Sequence, residues 1–145
     1  MIPDILAYAK ASDYQVDVDS YYQIDDRITK EHIQKFISKL DIPLIPRDYQ
    51  FEYVFQGIKN KRNIILSPTG SGKSLIIYLL ARWNLDVRKK KVLIIVPTTS
   101  LVYQLYNDFV SYGWKDAEQY VHKIADGATR ETECPVIIST WQALL

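Results

Sequence analysis

Hydrophobic and polar positions follow two different patterns along the chain. From residue 47 onward, runs that are apolar throughout, Ile64-Ile65-Leu66, Val92-Leu93-Ile94-Ile95-Val96 and Val136-Ile137-Ile138, alternate with longer segments whose apolar residues recur at three and four. Short all-apolar runs suit strands buried on both faces, and helical spacing between them suits crossover helices. The pattern therefore predicts an α/β fold, a parallel sheet with helices on both faces. The expected elements are a helix over residues 48–59, a strand over 63–66, a helix from the next loop to about residue 85, a strand over 91–96 too apolar to face water on either side, a helix over 100–112, a weaker strand within 119–124 and a strand over 136–139. Right-handed crossovers would gather the loops that follow the strands on one sheet edge.

The first 41 residues read differently. Pro3 can open a short helix over residues 4–11, and Gln15-Val16-Asp17-Val18-Asp19 alternates like a half-buried strand. Thr29 is placed to cap a helix that ends at Leu40, with Ile33, Phe36, Ile37 and Leu40 on one stripe and Lys30, Glu31, Gln34, Lys35 and Lys39 facing outward. Pro43 and Pro46 make residues 42–46 an extended linker. The expected organisation is a small α+β accessory segment, helix-strand-helix, over residues 1–41, followed by the sheet-bearing part over 42–145.

Composition adds bounds rather than a function. A chain of 145 residues that is 48% hydrophobic can bury one core. Its 18 basic and 17 acidic residues nearly cancel, which neither announces nucleic-acid binding nor excludes a local basic groove. A single cysteine, Cys134, has no partner for an internal disulfide and suits a reducing compartment. No run approaches the roughly 18 apolar residues of a membrane span, and the N-terminus lacks the basic and apolar regions of a signal peptide, so no membrane association and a cytoplasmic location are expected.

The candidate chemistry starts at Ser67-Pro68-Thr69-Gly70-Ser71-Gly72-Lys73-Ser74, between a strand-like and a helix-like run. A nucleotide triphosphate needs many donors at close range, and Gly70 and Gly72 remove the Cβ atoms that would keep the backbone away. The helix after the loop aims free N–H groups, equivalent to roughly half a positive charge, at the phosphates. Lys73 is placed to reach the β and γ phosphates, and the Ser74 hydroxyl to ligate the Mg2+ that accompanies the nucleotide. A P-loop NTPase is the implied fold, although the full pattern begins with glycine and Ser67 stands there instead. One helix and one strand earlier lies Arg47-Asp48-Tyr49-Gln50. An amide that both donates and accepts can match the N6 and N7 edge of adenine, which makes Gln50 a candidate; Tyr49, Tyr53 and Phe55 form an aromatic stripe with the spacing of core.

Four motifs in order carry a family resemblance: Arg-x-Tyr-Gln at 47–50, the phosphate loop, Val96-Pro97-Thr98-Thr99-Ser100 with Gln104, and Ile138-Ser139-Thr140-Trp141-Gln142. Together they resemble the first RecA-like lobe of superfamily 2 helicases, and among these the phage UvsW-type recombination and repair helicases. The resemblance implies that Gln50 recognises the adenine of ATP and that Arg47 assists. It also implies that Pro68, Thr69, Gly70, Ser71, Gly72, Lys73 and Ser74 hold the phosphates and Mg2+. Pro97, Thr98 and Thr99 would match motif Ia, and Thr140, Trp141 and Gln142 motif Ic, both of which touch one nucleic-acid strand. The residues agree with this: both groups follow apolar strands, where small hydroxyls and free helix N–H groups can hold phosphates without reading bases.

Plainer accounts exist for several of these positions. Thr98 and Ser100 can simply cap a helix, and Trp141 can fill core beside Leu144. Arg88-Lys89-Lys90-Lys91 suits a solvated turn at a strand's amino end, opposite the expected DNA edge. Asp126, Gly127 and Arg130 fall in a loop that corresponds to a nucleic-acid segment of the resembled family. His32 and His122 suggest no chemistry.

Hydrolysis would further require a magnesium-binding aspartate and a neighbouring glutamate after an apolar strand, and no such box occurs before Leu145. The expectation is thus an incomplete RecA-like lobe, part of an ATP-dependent DNA helicase or translocase in recombination, repair or replication. It would bind ATP, Mg2+ and a DNA strand but lack turnover alone. A stand-alone nucleotide- or DNA-binding module and a P-loop kinase-like protein are the alternatives.

Overall fold

The structure, a computed structural model, describes residues 2–16, 24–60, 62–125 and 127–145. Helix α1 spans Ile2–Ala11, and Gln15 and Val16 after it are not in a strand, because no neighbouring strand pairs with them; Asp17, Val18 and Asp19, the rest of the expected strand, lie outside the described residues. Helix α2, Lys30–Lys39, starts where Thr29 accepts a hydrogen bond from the His32 N–H and His32 Nδ1 accepts one from the Thr29 N–H, at 3.4 and 3.3 Å. His32 thus closes a reciprocal cap. Helix α3, Asp48–Lys59, has the expected bounds.

Helix α4, Lys73–Asp86, leads to strand β1, Val92–Val96; helix α5, Thr99–Ser111, is followed by α6, Ala117–Tyr120, and β2, Val121–Ile124; β3, Val136–Thr140, and α7, Trp141–Leu144, close the chain. The strands form one parallel sheet in the order β1-β3-β2. The chain has the expected α/β architecture, and the short apolar runs are its strands, with one exception.

Residues 63–66 are not a strand. A strand exists by virtue of ladder partners, and among the described residues no strand pairs with this segment. Ile64 and Leu66 are 87% and 86% exposed, while Ile65 packs on the core. Strand β1 departs from expectation in a related way. Val92, Ile94 and Val96 pack against the core, but Leu93 and Ile95, on the other face, are 53% and 55% exposed. No described element covers that face, so the apolar run is buried on one side only.

The core lies between the sheet and helices α4 and α5, and it extends to α3 and α2. Fully buried Tyr78 of α4 sits at its centre, with the rings of Phe109 and Tyr112 at 5.4 Å and Trp114 at 6.0 Å, all edge-on. Arg82 stacks over Trp114 at 4.7 Å, donates to the Tyr78 hydroxyl at 3.2 Å and pairs with Asp86 at 2.9 Å. Burial pushes the Tyr78 phenol above its ordinary pKa, and the Arg82 charge offsets only part of that. Arg88, from the basic run, donates to the Ile58 carbonyl at 2.7 Å and so caps the end of α3. Its role is structural.

Ile33 and Phe36 of α2 are buried in this same core, Phe36 standing edge-on to Trp83 of α4 at 5.1 Å. Ile33→Ala should therefore cost the chain about 2–5 kcal/mol. Urea unfolding followed by tryptophan fluorescence checks this, and a cost near zero would mean that α2 does not share the core.

Candidate functional site

Sequence and local geometry agree most closely at the phosphate loop. Gly70 and Gly72 have φ of +80° and +74°, the left-handed region in which a side chain is strained. At Gly72 a Cβ would also collide with Gln50 Nε2, whereas at Gly70 it would meet nothing within 4 Å. A side chain at Gly72 would thus have to displace the Gln50 amide, whereas Gly70 faces open space. Gly72 is the N-cap of α4 and no side chain caps that helix; the Leu75 N–H donates to the Gly72 carbonyl at 3.1 Å, and the Lys73 and Ser74 N–H groups precede it at the helix's open end.

The loop is held from α3. Gln50 is buried and donates through Nε2 to the Ser71 carbonyl at 2.9 Å, with a longer contact to the Gly72 carbonyl at 3.5 Å; its Oε1 accepts from the Arg47 N–H at 2.9 Å. Tyr49 donates to the same Ser71 carbonyl at 3.0 Å and is itself contacted by the Arg47 guanidinium at 3.4 Å. Tyr53 donates to the Leu66 carbonyl at 3.3 Å. Two side chains of α3, Tyr49 and Gln50, therefore hold the loop at Ser71, and a third, Tyr53, holds the end of the segment that lacks a ladder partner. The aromatic stripe is core at Phe55 and Tyr53, whose hydroxyl still reaches the Leu66 carbonyl, and the expectation is corrected at Tyr49, which turns its hydroxyl to the loop.

Within the loop, the Ser67 and Ser71 hydroxyls are hydrogen-bonded to each other, a contact that glycine at 67 could not make. Lys73 is exposed and folds back, donating to the carbonyls of Pro68 at 2.8 Å and Ser67 at 3.2 Å. Ser74 Oγ lies 2.8 Å from the Tyr112 hydroxyl. Thr69 and Gly70 form a turn closed by the Ser71 N–H, which donates back to the Pro68 carbonyl at 3.3 Å.

The second group of predicted residues meets at the sheet's carboxyl edge. Val96 of β1 and Thr140 of β3 are register partners, so Pro97-Thr98-Thr99 and Thr140-Trp141-Gln142 leave the sheet side by side. Thr98 Oγ1 accepts from the Leu101 N–H at 3.4 Å as the N-cap of α5, and Thr140 Oγ1 accepts from the Ala143 N–H at 3.3 Å as that of α7. Pro97, Thr98 and Gln142 are exposed and Thr140 is buried. Trp141 is 56% exposed, not core, because the strand end turns it outward and Leu144 offers no buried surface beside it. Of the loop considered for nucleic acid, Asp126 lies outside the described residues. His122 contacts the Thr129 carbonyl through Nε2 at 2.8 Å.

Tyr49, Tyr53 and Tyr112 are the parts that sequence reasoning missed. The spacing of Tyr49 and Tyr53 signals a shared helix face but not what that face meets. Tyr112 is 38 residues from Ser74, and no local pattern links them.

A family model described as type III restriction enzyme, res subunit, matches residues 22–145. The chain is similar to the ATP-dependent DNA helicase uvsW of Enterobacteria phage T4, at 36% identity over 141 residues that cover 91% of this chain and 28% of that protein. It is also similar to the DNA 3'-5' translocase XPB2 of Sulfurisphaera tokodaii, at 33% identity over 106 residues, 70% of this chain and 23% of that one. The chain thus spans less than a third of the length of these relatives. A crystal structure of the UvsW helicase from bacteriophage T4 matches with a TM-score of 0.82 and 32% identity, over 99% of this chain and 54% of that one. The chain belongs to the type III restriction enzyme res-subunit family and is a first RecA-like lobe of the superfamily 2 helicase type.

Proposed function

We propose that this chain is the ATP-binding, strand-contacting part of an ATP-dependent DNA helicase or translocase that acts in recombination, repair or replication. The observation that carries the proposal is the pairing of a glycine-turned loop at the start of α4 with two strand-end segments held side by side by the Val96–Thr140 register. The helicase and translocase relatives support it. On this reading residues 42–145 are the motor lobe and residues 1–41 an accessory segment. No described helix is long and apolar enough to cross a membrane, and a phage helicase relative supports a cytoplasmic site of action.

The residues fit a magnesium nucleotide. The uncapped first turn of α4 and the open space at Gly70 receive phosphate oxygens, and Lys73 exchanges the Ser67 and Pro68 carbonyls for them. Ser74 would hold the Mg2+, whose charge when bound neutralises the phosphate oxygens. Gln50 retains a second Oε1 lone pair, and its 3.5 Å contact to Gly72 is the one an adenine would replace, with Arg47 beside it. Pro97, Thr98, Thr99, Thr140, Trp141 and Gln142 contact one DNA strand through its backbone and, at Trp141, by stacking. The chain alone binds ATP without turnover, because hydrolysis also needs an acidic pair that this loop does not supply.

Lys73→Ala should weaken binding of a fluorescent ATP analogue by about 1.5–3 kcal/mol; unchanged affinity with the fold intact by circular dichroism would remove the assignment. Binding to single-stranded DNA should weaken with salt at a log–log slope of about 0.7 per phosphate contact, and Trp141→Ala should cost about 1–3 kcal/mol if one base stacks there. Fluorescence anisotropy at several salt concentrations measures both, and salt-independent or absent DNA binding would favour a kinase-like protein.

A further inference from the structure

We propose that Tyr112 is a positioning residue for the Ser74 hydroxyl, orienting its oxygen toward the cation of a bound nucleotide. The proposal rests on the nucleotide reading and deepens it. Ser74 Oγ and the Tyr112 hydroxyl lie 2.8 Å apart, and either can donate. A serine hydroxyl that lends a lone pair to a cation keeps its proton, and that proton needs an acceptor. With Ser74 as donor, Tyr112 is the acceptor, and the lone pairs of Ser74 Oγ remain for the cation.

Tyr112 is held from both sides. Its ring stands edge-on to fully buried Tyr78 at 5.4 Å, and Tyr78 lies one turn after Ser74 on the same helix. Its backbone N–H donates to the Asp108 carbonyl at 2.9 Å and closes the last turn of α5. The closed turn fixes the backbone of Tyr112 and the Tyr78 ring restrains its phenol, so the hydroxyl offers the serine a set direction. The residue therefore acts through Ser74.

Tyr112→Phe keeps the ring on Tyr78 and removes only the hydroxyl. Binding of a fluorescent ATP analogue is measured against MgCl2 and again in EDTA. The Mg2+ concentration at half-maximal binding should rise about threefold to tenfold in the variant, the equivalent of one lost hydrogen bond, while affinity in EDTA stays unchanged. In a Ser74→Ala background the same substitution should shift nothing further. An unchanged Mg2+ midpoint overturns the positioning role and leaves ATP binding standing. So does an equal loss in EDTA, which a merely structural role would give. If the unaltered chain binds no nucleotide in Mg2+, the nucleotide reading itself fails, and the role of Tyr112 with it.

Discussion

The Ser71 carbonyl is the point on which the site depends. It accepts hydrogen bonds from Gln50 Nε2 and the Tyr49 hydroxyl, at 2.9 and 3.0 Å, and both donors stand on the first turn of α3. A loop with two residues at positive φ has no regular ladder of its own, and its shape must be imposed from outside. A Cβ at Gly72 would have to displace the Gln50 amide from this position. The glycine is thus required twice, by its backbone angle and by the side chain that grips its neighbour. Because Oε1 of the same glutamine takes the Arg47 N–H, the start of α3 and the mouth of the loop are one hydrogen-bonded unit.

That grip bears on a second constraint, the segment before the loop. Residues 63–66 have no strand beside them among the described residues, yet they must deliver Ser67 to the right place. Tyr53 substitutes in part for the missing ladder by holding the Leu66 carbonyl, while Ile65 anchors the segment to the core. On the other side of the site, α5 begins at Thr98, beside the β3 strand end, and closes at Tyr112, whose hydroxyl meets Ser74. One helix therefore touches both the strand-end loops and the first turn of α4.

Much of this was legible in the sequence wherever function is carried by consecutive residues. The glycine, lysine and serine spacing located the loop, and the two apolar runs ending at Val96 and near Thr140 located the edge, because backbone geometry alone fixes where a strand releases the chain and where a helix opens. Legibility failed where the deciding partner is distant. The run Ile64-Ile65-Leu66 has strand composition, but pairing is a property of two segments and the second is not beside it. Leu93 and Ile95 are as apolar as Ile94 and differ from it only in what covers them. Tyr49 and Phe55 looked alike as aromatic positions on a helix; one hydroxyl found a carbonyl and the other ring found the core. Trp141 carried two readings, base contact and core, and only its position at a strand end, which leaves it exposed, decides against core.

Lys73 shows how such a site can be ready without being strained. Its ammonium is not left bare in the structure but is satisfied by the Pro68 and Ser67 carbonyls, and Ser67 and Ser71 satisfy each other. Phosphate oxygens would therefore replace existing hydrogen bonds rather than add to their number. In an exchange of that type the count of bonds nearly cancels, and the net gain comes from trading neutral carbonyls for ionised oxygens, whose hydrogen bonds are roughly twice as strong. The Lys73 and Ser74 N–H groups at the start of α4 differ, because no side chain caps them. Affinity should consequently scale with the charge on the ligand's terminal phosphates more steeply than with the number of atoms it presents.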